Sequence, residues 1–291
     1  MVYKVVDREG RGEKLSLFAN FSYYILRNNV MVKKNDYHTD LAQQSWIDAH
    51  CHLCSEPLKD NFRTEIARAG ESDIRVFIST ALNHKEIDWH LSNYSPEIKL
   101  IAGIHPYYDK SNLKDLDYLI EQCRNQELWG IGEIGYDKRK NNHNFQRNVL
   151  FQQLEIAKEY DLPVVFHVVG RYNELYQTLK RDFPGIRGFI HGFQGSAELV
   201  EMFSRLDIGF SLGYKILMKK GFPDTVRSIL KKGLVLFETD APFQKLPGNE
   251  NSQESYLSNL KILISRISRS CDLHPEDLMD RQWHTYMMMK G

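Results

Sequence analysis

The stretch QRNVLFQQLEIAKEYDLPVVFH, residues 146–167, contains one complete unit of the fold. Val149, Leu150, Leu154, Ala157 and Tyr160 recur at the spacing of one helical face, and Pro163 stops the helix because it has no backbone N–H to continue the ladder. Val164-Val165-Phe166 follows as a β-branched and aromatic run that ends on His167. An amphipathic helix feeding a short, wholly apolar strand is the repeating unit of a parallel sheet covered by helices.

The same alternation extends in both directions. Strand-like runs stand near Trp46–Ala49, Ile74–Ser79, Lys99–Gly103, Trp129–Glu133, Val164–His167, Gly188–His191, Ile208–Ser211 and Val235–Glu238. Leu113–Cys123, with Leu116, Leu119 and Ile120 on one stripe, reads as a helix, and Tyr256–Ile267 as the last one. Eight such runs predict an α/β fold of (β/α)8 TIM-barrel type over residues 46–291, although periodicity alone does not separate a barrel from an open sheet. Residues 1–45 fall outside this rhythm. Their apolar pieces Leu15–Phe21 and Val30–Val32, with a turn at Arg27-Asn28-Asn29, suggest an N-terminal extension: an added hairpin or arm, with a protein-binding arm as the alternative.

Composition bounds the function. Of 291 residues, 38 are Lys or Arg and 38 are Asp or Glu, so no polybasic field exists and any grip on a polyanion needs local features or metal ions. No apolar run has the ~18 residues that a membrane helix needs. The apolar piece Leu15–Leu26 is broken by Asn20 and Ser22, unlike a signal peptide. Cys51 and Cys54 form a CxxC without a second pair, which with Cys123 and Cys271 reads as free thiols in a reducing, cytoplasmic setting.

Residues that carry chemistry collect where the predicted strands end. In Asp48-Ala49-His50-Cys51-His52 strand alternation puts His50 and His52 on one face and Cys51 on the other. Two inward imidazoles are a ready pair of metal ligands where barrel interiors otherwise favour Val, Ile and Leu. Glu133 lies in Gly130-Ile131-Gly132-Glu133-Ile134-Gly135, His167 ends the fifth run, His191 ends the sixth, and Asp240 follows the eighth. Singly, each has a plainer reading as a capping, turn or satisfied core residue. Jointly, four His and two carboxylates at one barrel mouth would hold two divalent cations, since a buried polar cluster without an ion is costly.

In their order, His50-x-His52, Gly103-Ile104-His105-Pro106, Gly132-Glu133-Ile134-Gly135, Pro163-x-x-x-His167, His191-x-Phe193-x-Gly195-Ser196 and Glu238-Thr239-Asp240-Ala241-Pro242 resemble the TatD family of the amidohydrolase superfamily, from about Ile47 to the C-terminal helices. The resemblance implies a TIM barrel and a metal-dependent deoxyribonuclease of 3′–5′ exonuclease type, with DNA, single strands or 3′ ends, as partner. It implies that His50 and His52 bind one metal with Asp240, that His167 and His191 bind a second, and that Glu133 bridges. His105 would contact the scissile phosphate or its leaving oxygen; its plainer reading is a structural His held by Pro106. Asp240 would accept the proton of the attacking water. Zinc, manganese or magnesium suit the donor set, the imidazoles tilting it away from a pure magnesium site.

Departures from the family pattern fall on the substrate side. Where its members commonly carry Ser-Arg after the strand-five His, this chain has Val168-Val169-Gly170-Arg171. Arg171 could grip a phosphate or simply be a solvated residue starting a helix. Lys215, Lys219 and Lys220 form a small basic cluster, and Tyr107, Tyr108, Tyr136 and Tyr214 could stack on bases or pack over the barrel. The usual Cys-Phe-Ser is Gly192-Phe193-Gln194, and the usual C-terminal Asn motif is not evident in Trp283-His284-Thr285-Tyr286. Two other function classes stay open: an amide, ester or aminoacyl hydrolase of the same superfamily, and a conditional subunit of a multi-protein assembly, such as a phage-defence set, docked through residues 1–45.

Overall fold

In a computed structural model the apolar runs form strands and the amphipathic stretches between them form helices. The structure describes residues 24–27, 30–33, 45–107, 114–244, 246 and 256–290. The chain divides into two compact units, Met1–Leu41 and Ala42–Gly291. In the first, strands β1 (Tyr24–Arg27) and β2 (Val30–Lys33) pair antiparallel with Arg27 opposite Val30. Asn28 and Asn29 of the expected turn lie outside the described residues.

The second unit carries β3 (Trp46–Cys51), β4 (Ile74–Ala81), β5 (Ile98–Ala102), β6 (Gly130–Asp137), β7 (Val164–Val169), β8 (Gly188–Ile190), β9 (Ile208–Leu212) and β10 (Val235–Phe237). They form one parallel sheet in chain order. The question left open by periodicity, barrel or open sheet, is decided at the two edges. Asp240 N–H donates to the His50 carbonyl at 2.9 Å, and His52 N–H donates to the Ala241 carbonyl at 2.8 Å. The Asp48 carboxylate ties the same seam, accepting from Thr239 N–H at 2.9 Å and from the Thr239 hydroxyl at 2.6 Å. A (β/α)8 barrel results.

Helices α1 (Leu58–Gly70), α2 (His84–Ser92), α3 (Lys114–Arg124), α4 (His143–Glu159), α5 (Tyr172–Arg181), α6 (Ala197–Ser204) and α7 (Phe222–Lys232) are the crossovers. In α4 Val149, Leu150, Leu154 and Ala157 of the expected stripe are buried, joined by Ile156, while Tyr160 follows the helix's last residue and is half-buried. The expected last helix starts with a 3-10 turn at Leu257–Asn259 and becomes α8 (Leu260–Cys271). It is not the last: Asp272, at φ 56°, breaks it, and Pro275, whose missing N–H costs nothing in a first turn, opens α9 (Pro275–Lys290).

Helix α9 closes the bottom of the barrel. Trp283 Nε1 donates to the Ser45 carbonyl at 2.6 Å, and the Thr285 hydroxyl accepts from Val235 N–H at 3.0 Å, both where strands begin. The barrel interior, Ile47, Ala49, Val76, Ile78, Ile101, Val165, Phe189 and Leu236, continues into Trp283, Tyr286 and Met289. Each large apolar side chain so buried stabilises by about 1.5–3 kcal/mol. With the strand beginnings plugged, the strand ends are left as the mouth. Among the described residues no helix is long and apolar enough to cross a membrane.

Candidate active site

Two β-bulges aim the site. Asp48 and Cys51 stand opposite Phe77 and Ser79, three positions against two. The extra residue shifts the phase of side-chain alternation, so Ile47 and Ala49 fill the interior and His50 and His52 still turn inward above them. In β6, Gly132 and Ile134 pair with Val165 and Phe166, which leaves Glu133 as the unpaired extra residue. Bulges beside a site commonly re-aim a side chain.

Glu133 is the centre. Its Oε2 lies 3.4 Å from His50 Nε2 and 3.7 Å from His52 Nε2. Its Oε1 faces the other way, 2.6 Å from His191 Nε2, 2.8 Å from His167 Nδ1 and 3.3 Å from His105 Nε2. Asp240 Oδ1 completes the first side, 3.5 Å from His52 Nε2 and 3.7 Å from His50 Nε2. All seven side chains are at least nine-tenths buried or nearly so.

The donor set fits a cation. Three ligand atoms each ~2.1 Å from a tetrahedral ion stand roughly 3.4 Å from one another. His50 Nε2, His52 Nε2 and Asp240 Oδ1 are separated by 3.1, 3.5 and 3.7 Å. His50, Glu133 and His191, and likewise His105, Glu133 and His167, also offer three donor atoms within 4.8 Å of one another.

Hydrogen bonds behind the imidazoles set which nitrogen faces inward. His167 Nε2 donates to Asp137 Oδ2 at 3.0 Å, so Nδ1 is the inward nitrogen, the one that would give its lone pair to a cation. His191 turns Nε2 inward, 2.6 Å from Glu133 Oε1, while its Nδ1 stands 3.6 Å from Glu238 Oε1 without a hydrogen bond. His105 differs. Tyr107 N–H donates to its Nδ1 at 3.0 Å, so Nδ1 accepts; burial lowers its pKa and keeps the ring neutral, and the proton sits on Nε2. That nitrogen points at the cluster as a donor, not as a lone pair. Gln153 of α4 fixes the loop beneath it, accepting from Ile104 N–H at 2.6 Å and donating to the Ile104 carbonyl at 3.2 Å.

The charges follow from this packing. Burial opposes ionisation of Glu133, yet His191, His105 and His50 hold its carboxyl well below the usual range. Burial likewise works against Asp240, and the bond from His52 with the charges of His50 and His191 carries it below its ordinary value. Burial pushes Asp48 up to about 7 despite its Thr239 bonds. The centre is therefore an anion-rich knot ringed by imidazoles, and a cation that takes up those nitrogens replaces their protons.

A family model described as TatD-related DNase matches residues 47–285. The chain belongs to the TatD family. It is 30% identical over 215 residues to the uncharacterised metal-dependent hydrolase YjjV of Escherichia coli, covering 70% of this chain and 82% of YjjV. The YjjV crystal structure superposes with a TM-score of 0.77 at 25% identity, over 86% of this chain and 98% of that one. A putative deoxyribonuclease of Danio rerio, tatdn3, is 24% identical over 77% of this chain and 92% of its own. The protein is thus a TatD-family metal-dependent hydrolase.

On this TatD barrel the expected site residues His50, His52, His105, Glu133, His167, His191 and Asp240 meet at one point. Of the expected substrate-side residues, Tyr107 stands beside them with its N–H on His105 Nδ1, and Lys215 donates its N–H to Gln244, the residue bonded to Asp240. Arg171 is paired through Nη1 with Glu174, at 2.7 Å. Lys215 is exposed on the 3-10 turn Tyr214–Met218, whereas Lys219 donates through Nζ to the Gly195 carbonyl. Tyr136 is not at the mouth: its side chain turns outward and is buried between sheet and helices, its hydroxyl 3.4 Å from that of Thr178. Tyr214 is buried as well. Strand parity decides Tyr136, because it follows Gly135 on the helix-facing side with Ile134. Tyr108 lies outside the described residues. The four cysteines are free thiols.

Three carboxylates that the sequence reading left without a role support the site: Asp48, Asp137 and Glu238, each fully buried. Glu238 Oε1 accepts from Gly192 N–H at 2.7 Å, and Asp137 accepts from both His167 and Arg139. The available signal was the same for all three: an acidic residue inside or ending an otherwise apolar strand run.

Proposed function

We propose that this TatD-family hydrolase is a deoxyribonuclease that cleaves phosphodiester bonds of single-stranded DNA from 3′ ends, using two divalent cations of zinc, manganese or magnesium. The observation that carries the reading is the division of Glu133. One oxygen faces His50 and His52 beside Asp240, and the other faces His167 and His191. A bridging carboxylate between two ligand groups is what a two-cation hydrolase requires. Support for DNA as substrate comes from the family description and the tatdn3 relative.

When bound, the cations supply positive charge for the phosphate oxygens and acidify the attacking water. The residues do the rest. Asp240 turns Oδ1 to the His50 and His52 group while Oδ2 accepts from Gln244 Nε2 at 2.8 Å, so this carboxylate, held beside the centre, would take the water's proton. His105 offers Nε2–H to a phosphate or leaving oxygen, and the Tyr107 N–H keeps that tautomer in place. Glu133, His50, His52, His167 and His191 hold the charge that lets a net-neutral protein accept a polyanion.

The decisive experiment digests end-labelled single- and double-stranded DNA with metal-stripped protein to which each metal is restored. Cleavage laddering from the 3′ end, abolished in Glu133→Ala and Asp240→Ala, is the expected result. Turnover of amide or ester substrates with no DNA cleavage under any metal would replace the nuclease reading, and undiminished turnover in either variant would remove the two-cation assignment.

A further inference from the structure

Solitary exposed aromatics are common on protein surfaces and need no explanation. Two here stand at opposite ends of the catalytic cluster. Phe243 is 61% exposed. Its ring meets His52 edge to face, with centroids 4.8 Å apart at 75°, and its N–H donates to the Asp240 carbonyl at 2.8 Å. It is therefore fixed beside the His50, His52 and Asp240 group. Tyr107 is 42% exposed and is fixed through its N–H to His105, beside the His105, Glu133 and His167 group. Two cations attend the Tyr107 ring: the Arg139 guanidinium at 4.7 Å and the Lys140 ammonium at 4.6 Å from its centroid. Arg139 is held in place by Asp137, the carboxylate behind His167, yet its side chain is still 54% exposed.

A phosphodiester lying across the cluster sends one nucleoside toward each end. Each end carries an exposed ring anchored to a residue of the site, and the Tyr107 end adds two cations beside its ring. Resting on the nuclease reading above, we propose that Phe243 and Tyr107 are stacking platforms for the two nucleosides that flank the scissile phosphate, with Arg139 and Lys140 gripping the strand beyond Tyr107. The bases must then be unpaired and splayed, because rings in a duplex are already stacked on their neighbours. This arrangement selects single strands through the bases and not only through charge.

The test compares a ten-nucleotide thymidine strand with an abasic strand of the same length and charge. Binding to the metal-loaded full-length chain is read by fluorescence anisotropy on strands with phosphorothioate linkages, which resist cleavage, and KM is read on the unmodified strands. Wild type should prefer the thymidine strand, and Phe243→Ala and Tyr107→Ala should each reduce that preference by about 10-fold, in line with the effect of removing one base–aromatic stack. Phe243→Trp and Tyr107→Phe should retain it, and thermal stability should not change in any of the four. Equal affinity of wild type for both strands, or an unchanged preference in both alanine variants, overturns the proposal. The two readings separate cleanly. DNA cleavage with no dependence on bases leaves the nuclease and removes the platforms; base-dependent binding without cleavage under any metal does the reverse.

Discussion

At the scale of single residues, the site depends on which nitrogen of each imidazole carries the proton, and that is set by neighbours outside the cluster. Asp137 receives His167 Nε2–H and so frees Nδ1. Asp137→Asn removes the charge that orients the ring and should weaken divalent-cation affinity about 10- to 100-fold, measured by competition with a chelating dye; an unchanged affinity would mean the contact does not position the ring. His105 is the contrasting case, since its inward atom is a donor. His105→Ala should lower kcat on the order of 10²–10³-fold, as loss of one transition-state donor does, while the bound metal per chain stays constant. Loss of metal in that variant would make His105 a ligand instead. The ligand types were legible in the sequence because His and carboxylates at strand ends have few other uses in a barrel. Asp137 was not, because its role exists only once β6 lies beside β7.

At the scale of elements, the bulges and one glycine do the positioning. Gly135 sits at φ 145°, and a Cβ there would stand 2.1 Å from the His167 carbonyl oxygen. Backbone pairing of β6 with β7 at His167 is therefore open only to glycine. Gly135→Ala should cost roughly 3 kcal/mol or more, from strained backbone and displaced pairing, read as the shift in urea midpoint. A loss under about 1 kcal/mol would show that the ladder adjusts at little cost. The strand positions themselves were readable to within a few residues from apolar runs, as was the α4 stripe. The bulges were not: a pattern of period two contains no mark of a residue that pairs with nothing. Tyr136 falls in a mouth loop only if the strand ends at Glu133, and β6 runs on to Asp137. Helix α9 was also missed, since its buried residues face a barrel floor that exists only when all eight strands have closed.

For the whole molecule, acid sensitivity has an identifiable source away from the ligands. His90 of α2 donates Nδ1–H to the Glu86 carbonyl at 2.8 Å and takes the Ser79 hydroxyl on Nε2 at 2.8 Å, and Ser79 in turn accepts Leu53 N–H at 3.2 Å, just past His52. Burial lowers its pKa from the ordinary 6.5 to about 4. Between those pH values the unfolded chain binds a proton that the native chain does not. The contribution is whole above pH ~6.5 and declines as pH falls toward 4, by about 3 kcal/mol at the acidic end. Wild type should therefore lose stability more steeply than His90→Gln between pH 6.5 and 4.5 in urea titrations. Parallel slopes for the two proteins would exclude His90 as the source.

The sequence by itself determined the class of fold and the kinds and order of the residues that could hold a metal, because helical period, strand composition and strand-end His and carboxylates are local properties of the chain. Only the tertiary structure decided that the sheet closes, through Asp240 and Ala241 meeting His50 and His52 across 190 positions of chain, and that Glu133 divides its two oxygens between two groups. It also decided which aromatics reach the mouth and which pack behind it. These are matters of register, bulge and closure, and they arise from contacts between strands that no single stretch of sequence contains.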